Sequence, residues 1–186
     1  MSVFLNLFIA FTAVAAVTAH ARKAPLRVLF RFYTVLSNLM CAVFCLLTAV
    51  FSLSGQVPQP VVLFKHMSTV AVTITLLTVL FFLAPHMGGL RVLLAGPDLW
   101  LHLICPVLAI ISFLAWDVER LPVYAIFTGA LTVPVYGCWY MYHLFSAPEE
   151  KRWKDFYGFN QGGKWKLSFI IMTCACLLVS FLLWVF

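Results

Sequence analysis

Residues 167–186 read LSFIIMTCACLLVSFLLWVF, an uninterrupted stretch of 20 residues without a charged side chain. Since an α-helix rises about 1.5 Å per residue, a helix of this length crosses the roughly 30 Å hydrocarbon core of a bilayer. The rest of the chain is similar, because 64% of its 186 residues are hydrophobic, 16% are aromatic and only 10% are charged. This composition lies outside the range of soluble domains and predicts a multi-pass membrane protein.

Five further apolar stretches are separated by short segments rich in proline, glycine and charged residues, which predict turns. We therefore expect an all-α integral membrane protein in which residues 1–186 form a single six-transmembrane-helix bundle with short loops. The six spans are predicted at about residues 3–19, 28–53, 67–83, 98–116, 123–145 and 167–186. In the fourth span, Asp98 is the expected N-cap and Pro106 predicts a kink near His102. We expect the first span to be retained, because its positive charges follow the apolar run rather than precede it.

The distribution of lysine and arginine predicts the orientation in the membrane. Ten of the twelve basic residues lie in the first, third and fifth connections, and only Lys65 and Arg120 lie in the other two. Because cytoplasmic loops are enriched in these residues, the odd-numbered loops should be cytoplasmic and both termini outside. Their placement between spans favours membrane lipids rather than nucleic acid as partners of a chain with net charge +6. Short loops and the lack of an Asn-x-Ser/Thr sequon favour a bacterial plasma membrane.

Two polar stretches interrupt the predicted spans. Thr34, Ser37 and Asn38 have i, i+3 and i+4 spacing, so a helix projects them from one face. His102 is an ionisable residue within the fourth span, which is by default a candidate functional residue. With the predicted topology, Thr34 lies roughly 9 Å and His102 roughly 6 Å along their helices from the cytoplasmic side. We therefore predict a polar pocket near the cytoplasmic face. Its predicted residues are Arg31, Thr34, Ser37, Asn38, His86, His102, Tyr136, Tyr140 and His143.

These side chains allow two interpretations. An imidazole opposite a hydroxyl group can act as its general base, while an amide stabilises the oxyanion that forms. Alternatively, Thr34 and Ser37 donate hydrogen bonds to carbonyls of their own helix and Asn38 joins two helices. No two of the pocket histidines share an i, i+4 helix face, so we predict no metal site and no cofactor.

A resemblance to a known family favours the first interpretation. Residues 32–38 read FYTVLSN and residues 101–107 read LHLICPV. These stretches resemble two motifs of the androgen-induced/androgen-dependent family of six-helix membrane hydrolases and of their bacterial six-helix relatives. Members of that family cleave fatty acid esters of hydroxy fatty acids. The resemblance implies that Thr34 is the nucleophile and His102 its base.

The predicted function is that of an integral-membrane, threonine-dependent hydrolase of lipid esters, with membrane lipids and a lipid ester or fatty acid as partners. The main alternative is a non-enzymatic membrane protein that binds or transports a lipid or a small apolar molecule in the same pocket. Catalysis requires Thr34 and His102 within hydrogen-bonding reach, directly or through one water, whereas binding does not. A third alternative, a structural membrane subunit, predicts no cavity.

Overall fold

The structure is a computed structural model that describes residues 2–85, 89–116 and 121–186. The described chain is 80% helical and contains no strand, which confirms the predicted all-α class. The longer helices, in chain order, are α1 (Ser2–Ala21), α2 (Tyr33–Leu53), α3 (Gln59–Leu83), α4 (Pro97–Trp116), α5 (Tyr124–Ala130), α6 (Thr132–Met141) and α7 (Trp165–Val185). All of these except α5 and α6 are long and apolar enough to cross a membrane.

Helix α3 forms the centre of the bundle. It packs against α2 and α4 on one side and against α5 and α7 on the other, while α1 packs against α2 and α4. A larger share of α3 is buried than of any of the other four long apolar helices. Among the described residues, α3 contributes more buried polar side chains than any other helix.

Helix α2 begins at Tyr33, later than the predicted start near residue 28, and a single helical turn, Leu26–Leu29, precedes it. The break between the two helices is stabilised because side chains bond its free backbone groups. Tyr136 Oη donates to the carbonyl of Arg31 at 2.6 Å, and the backbone N–H of Tyr33 donates to Tyr157 Oη at 2.9 Å. Thr34 consequently lies in the first turn of α2, at the N-terminus of the helix.

Helix α3 begins at Gln59, eight residues before the predicted start of the third span. Pro58 occupies the N-cap and Pro60 the first turn, where a missing backbone N–H costs nothing. As a result Lys65 and His66, which the sequence placed in a connection, lie inside α3. Both side chains are 0% exposed.

Helix α4 has nearly the predicted bounds but begins and turns differently. Gly96 occupies the N-cap, and Asp98 lies 3.0 Å from the imidazole of His20 instead of capping the helix. A π-helical turn, Trp100–Ile104, occurs where the kink was expected. It ends two residues before Pro106, which has no N–H to donate to the carbonyl of His102.

The predicted fifth span is divided in the structure. Helices α5 and α6 are separated at Leu131, and a π-helical turn, Tyr142–Ser146, continues α6. Residues 147–164, which we call the cap segment, then lead into α7 through two short 3₁₀ turns. The sixth predicted span, residues 167–186, lies at nearly the same position as α7.

Gly129→Ala is expected to lower the free energy of unfolding by about 1–3 kcal/mol, the usual cost of overpacking. A β-carbon at Gly129 would collide with Ser180 Oγ of α7 and lie 2.7 Å from His66 Cε1 of α3. Thermal unfolding in detergent measures the loss. Because Ser180 Oγ is the nearest atom, the double variant with Ser180→Ala should lose less than the sum of the two single variants. Strictly additive losses would contradict the close contact.

Candidate functional site

A partly enclosed cavity of about 60 Å³ lies at the end of the bundle where α2 begins and α3 ends. We call it the tyrosine cavity because four tyrosine side chains, from α2, α6 and the cap segment, form much of its wall. These four residues are Tyr33, Tyr136, Tyr140 and Tyr157. The accessible lining of the cavity is almost entirely apolar. An apolar cavity of this kind excludes water and favours an apolar guest.

The tyrosine hydroxyl groups contribute little polarity to the cavity because they bond to its wall. Tyr33 Oη donates to Thr132 Oγ1 at 2.9 Å, and Tyr140 Oη donates to Asp155 Oδ1 at 2.8 Å. Tyr136 Oη is bonded to the carbonyl that precedes α2, as described above. The rings are thus fixed in orientation by their hydroxyl groups. The cavity is bounded by aromatic carbon rather than by hydrogen-bonding groups.

The cap segment closes the cavity from the end of the bundle. Asp155 holds this segment in place, since its carboxylate also accepts the backbone N–H groups of Phe159 at 3.1 Å and Asn160 at 2.7 Å. Tyr157 Oη accepts the N–H of Tyr33, and burial raises the pKa of Tyr157 to about 12. Tyr157 is therefore a neutral phenol at neutral pH, and the cap is held by hydrogen bonds to both α2 and α6.

Tyr157→Phe is expected to reduce the loss of stability at alkaline pH. The pKa of Tyr157 in the folded protein, about 12, exceeds its ordinary value of 10.0. The folded chain therefore holds this proton more tightly, so the stability that depends on it is complete below about pH 10 and is lost as the pH rises through about 12. Tryptophan fluorescence across this range, read against the wild type, measures the difference. The variant should start from lower stability at pH 7, because the N–H of Tyr33 loses its acceptor. Parallel pH profiles for the two proteins would contradict the assignment.

The structure brings together several of the residues that the sequence predicted for a pocket. Thr34, Tyr136 and Tyr140 all line the tyrosine cavity. Hydroxyl groups of α3 and α7 line the same cavity without having been predicted. These are the side chains of Thr75, Thr78 and Ser168.

The side chains of Ser37 and Asn38 form hydrogen bonds within and between helices, as the second interpretation of the sequence predicts. Ser37 Oγ donates to the carbonyl of Thr34 at 3.1 Å and lies 2.9 Å from Thr75 Oγ1. Asn38 Nδ2 donates to the carbonyl of Thr34 at 2.8 Å and to that of Leu101 at 3.0 Å. Because both acceptors are carbonyls, the amide orientation is fixed. Asn38 therefore joins α2 to α4.

Arg31 and His143 lie outside the cavity and hold the cap segment. The guanidinium carbon of Arg31 is 5.6 Å from the ring centroid of Trp153, and the imidazole of His143 stacks on the same indole at 4.2 Å. The N–H of Trp153 also donates to the carbonyl of His143 at 3.1 Å. Trp153 is buried by these contacts. Both residues thus act on the cavity through the cap.

Thr34 and His102, the two predicted catalytic residues, do not line the same cavity. His102 lies in the π-helical turn of α4, partly buried, and is not among the residues that line the cavity with Thr34. The predicted site residue His86 lies outside the described residues. In the part of the chain that the structure describes, no group of three histidine, cysteine or acidic side chains is placed to hold a metal ion.

A second polar cluster, which we call the lysine cluster, lies near the other end of the bundle and was not predicted. Lys65 Nζ of α3 donates to Asn6 Oδ1 of α1 at 2.6 Å and to Ser112 Oγ of α4 at 3.0 Å. Ser112 Oγ in turn donates to Asn6 Oδ1 at 3.1 Å. All three side chains are buried. The signal that could have revealed the cluster is Pro58 and Pro60, which mark the start of α3 before Lys65.

Comparisons of this chain with protein-family models, with curated proteins and with solved structures find no match.

Proposed function

We propose that this protein is a six-span integral membrane protein that binds a short segment of the acyl chain of a lipid in the tyrosine cavity. The observation that supports this function best is the apolar, aromatic lining of a partly enclosed cavity between apolar helices. Ligand sites in helical bundles are typically apolar with a few hydroxyl groups that orient the ligand. Here Thr34 and Thr78 are the residues of the lining that could supply such a group, whereas the hydroxyl of Thr75 already donates to the carbonyl of Ala71. The sixth span in this proposal is the divided segment formed by α5, α6 and the π-helical turn.

The charge distribution supports an orientation with the cavity at the cytoplasmic face of a bacterial plasma membrane. The cavity lies at the end of the bundle from which the first, third and fifth connections emerge, and these hold most of the basic residues. Lys65 belongs to α3, so the short connection between α2 and α3, residues 54–58, carries no lysine or arginine. The difference in lysine and arginine content between the two sets of connections is therefore larger than the sequence alone indicated.

Photolabelling tests the binding function. The protein, in nanodiscs of phosphatidylcholine, is irradiated with a hexadecanol that carries a diazirine near the middle of its chain. We expect cross-links on peptides that contain Met141 and Met172, two cavity residues on α6 and α7. Excess unlabelled hexadecanol should suppress these cross-links. Labelling confined to lipid-exposed residues such as Phe81, or insensitive to competition, would show that the cavity does not bind the chain.

Lipid ester hydrolysis is the second candidate function, and the position of Thr34 in the cavity wall favours it. The resemblance to the androgen-induced/androgen-dependent hydrolases assigns Thr34 as the nucleophile and His102 as its base. In that reaction Thr34 Oγ1 attacks the ester carbonyl, its proton passes through His102 to the departing alkoxide, and water then hydrolyses the acyl-threonine. Because His102 does not line the cavity, this mechanism requires the imidazole to come within hydrogen-bonding reach of Thr34, directly or through one water.

A lipophilic fluorophosphonate distinguishes the two functions. A hydrolase is expected to label in wild type and in the control Thr173→Ala, whose hydroxyl only bonds the carbonyl of Phe169 in α7. Labelling should disappear in Thr34→Ala and His102→Ala, each checked for folding. If wild type does not label, or if Thr34→Ala labels normally, the hydrolase assignment fails and the binding function stands alone.

A further inference from the structure

A second depression, which we call the cap groove, lies beside the tyrosine cavity. It has a volume of about 430 Å³ and is formed by the end of α3, the cap segment and the start of α7. A volume of this size is typical of sites for small organic ligands. The cavity and the cap groove share four lining residues, Leu83, Tyr157, Phe159 and Ser168. A single layer of side chains therefore separates them.

The contacts within that layer are non-covalent, and the ring centroid of Phe159 also lies 5.2 Å from that of Tyr157 and 6.2 Å from that of Tyr140. Ser168 Oγ donates to the carbonyl of Phe159 at 2.9 Å, and the rings of Phe82 and Phe159 lie 5.2 Å apart. Such side chains change rotamer without rearrangement of the helices. A ligand whose chain occupies the cavity can thus extend into the cap groove between these residues.

The cap groove has an apolar side and a polar side. Leu167 and Ile171 of α7 are 54% and 56% exposed and face outward along the apolar side. Lys164, which immediately precedes α7, lies exposed on the polar side together with Gln161. Interfacial lysines of this kind keep their charge at the head-group level while apolar neighbours contact the chain region. The groove thus matches an amphiphile, with one end charged and the other apolar.

Asp155 also lines the cap groove, but its carboxylate is already engaged. It accepts the hydroxyl of Tyr140 and the backbone N–H groups of Phe159 and Asn160. Its role is to fold the cap segment, whereas Lys164 is an exposed residue of the groove lining. A carboxylate at this position repels any anionic ligand, and it repels a doubly charged ligand more strongly than a singly charged one.

We propose that the cap groove is the head-group subsite of the tyrosine cavity and that Lys164 binds the carboxylate of a single-chain lipid there. This inference rests on the proposed lipid-binding function and names its ligand class. One ammonium group matches one negative charge, whereas a phosphate monoester carries up to two at neutral pH and is disfavoured beside Asp155. A segment of the lipid chain lies in the tyrosine cavity, and the carboxylate lies in the cap groove.

Matched photoprobes test the subsite. Hexadecanoic acid, hexadecanol and hexadecyl phosphate, each with the same mid-chain diazirine, are titrated against wild type, Lys164→Gln and Lys164→Arg in phosphatidylcholine nanodiscs. Lys154→Gln is the control, since Lys154 is exposed in the same segment but does not line the groove. We expect Lys164→Gln to weaken labelling by the acid about 5-fold or more, Lys164→Arg to retain it, and labelling by the alcohol to stay unchanged.

The outcomes separate this inference from the function on which it rests. If the acid labels the cavity equally in wild type and Lys164→Gln, the head-group subsite is wrong while lipid binding stands. If Lys154→Gln weakens labelling by the acid as much as Lys164→Gln does, the effect comes from the positive charge of the surface in general. That result would also overturn the subsite. Tighter labelling by the phosphate than by the acid would overturn the carboxylate assignment. If no probe labels the cavity peptides, the proposed function itself fails.

Discussion

Asn6→Leu is expected to lower the free energy of unfolding by roughly 3 kcal/mol, because it removes an acceptor from a buried ammonium group. Lys65 Nζ lies 2.6 Å from Asn6 Oδ1, and neither side chain is exposed. A charged group inside an apolar bundle is costly unless hydrogen bonds compensate it, and leucine offers none. Chemical or thermal unfolding of the purified protein in one detergent measures the loss.

Lys65→Met provides the matched control for this prediction. Methionine fills a similar volume without a charge, so Lys65→Met should cost much less than Asn6→Leu. The double variant should recover most of the stability that Asn6→Leu loses, because no buried charge then remains. A double variant as unstable as Asn6→Leu alone would show that Asn6 stabilises the bundle through packing rather than through Lys65.

The lysine cluster shows why composition predicts the helices of this protein better than their ends. Apolar runs of about 20 residues define a membrane helix by length and hydropathy, so most of the predicted spans lie close to observed helices. A lysine within such a run lowers its local hydropathy, and the third span was therefore predicted to begin after Lys65 and His66. In the structure, polar side chains of α1 and α4 compensate Lys65. That compensation depends on tertiary contacts, which no local pattern reveals.

The tyrosine cavity was predicted in part. Spacing and topology placed Thr34, Tyr136 and Tyr140 at one end of the bundle, and in the structure all three line one cavity. The contribution of the cap segment could not be derived in the same way. Tyr157 and Asp155 reach their partners through an irregular segment, whose path has no periodicity to read. The aromatic residues within residues 153–159 are typical of a segment that lies at the membrane interface, which does not reveal a contact with a cavity.

His102 illustrates a further limit of counting residues along helices. Equal depth in two helices places side chains in one layer of a bundle, but their rotation about the helix axes decides which of them share a cavity. The π-helical turn at Trp100–Ile104 changes that rotation, because it adds a residue to the turn. The pairing of Thr34 with His102 therefore remains a prediction, which the fluorophosphonate experiment tests.

Val79→Phe is expected to reduce photolabelling of the tyrosine cavity by tenfold or more while the protein remains folded. Val79 lines the cavity from the π-helical part of α3 and is only 1% exposed. A phenyl ring at this position occupies part of a space of about 60 Å³, so the acyl chain of the hexadecanol probe is excluded. Yield of cross-links on α6 and α7, at fixed probe concentration, measures the effect. Val50→Phe is the control, because Val50 is 53% exposed and does not line the cavity.

The same substitution separates loss of the site from loss of the fold. Overpacking costs about 1–3 kcal/mol, so Val79→Phe should melt at a somewhat lower temperature than wild type but with one cooperative transition. If it does not fold, Met172→Phe introduces the ring from α7 instead and should have the same effect on labelling. Unchanged labelling in a folded variant would place the bound chain outside the tyrosine cavity. If lipid esters are hydrolysed in this cavity, the variant should lose fluorophosphonate labelling together with hexadecanol labelling, since both ligands require the same space.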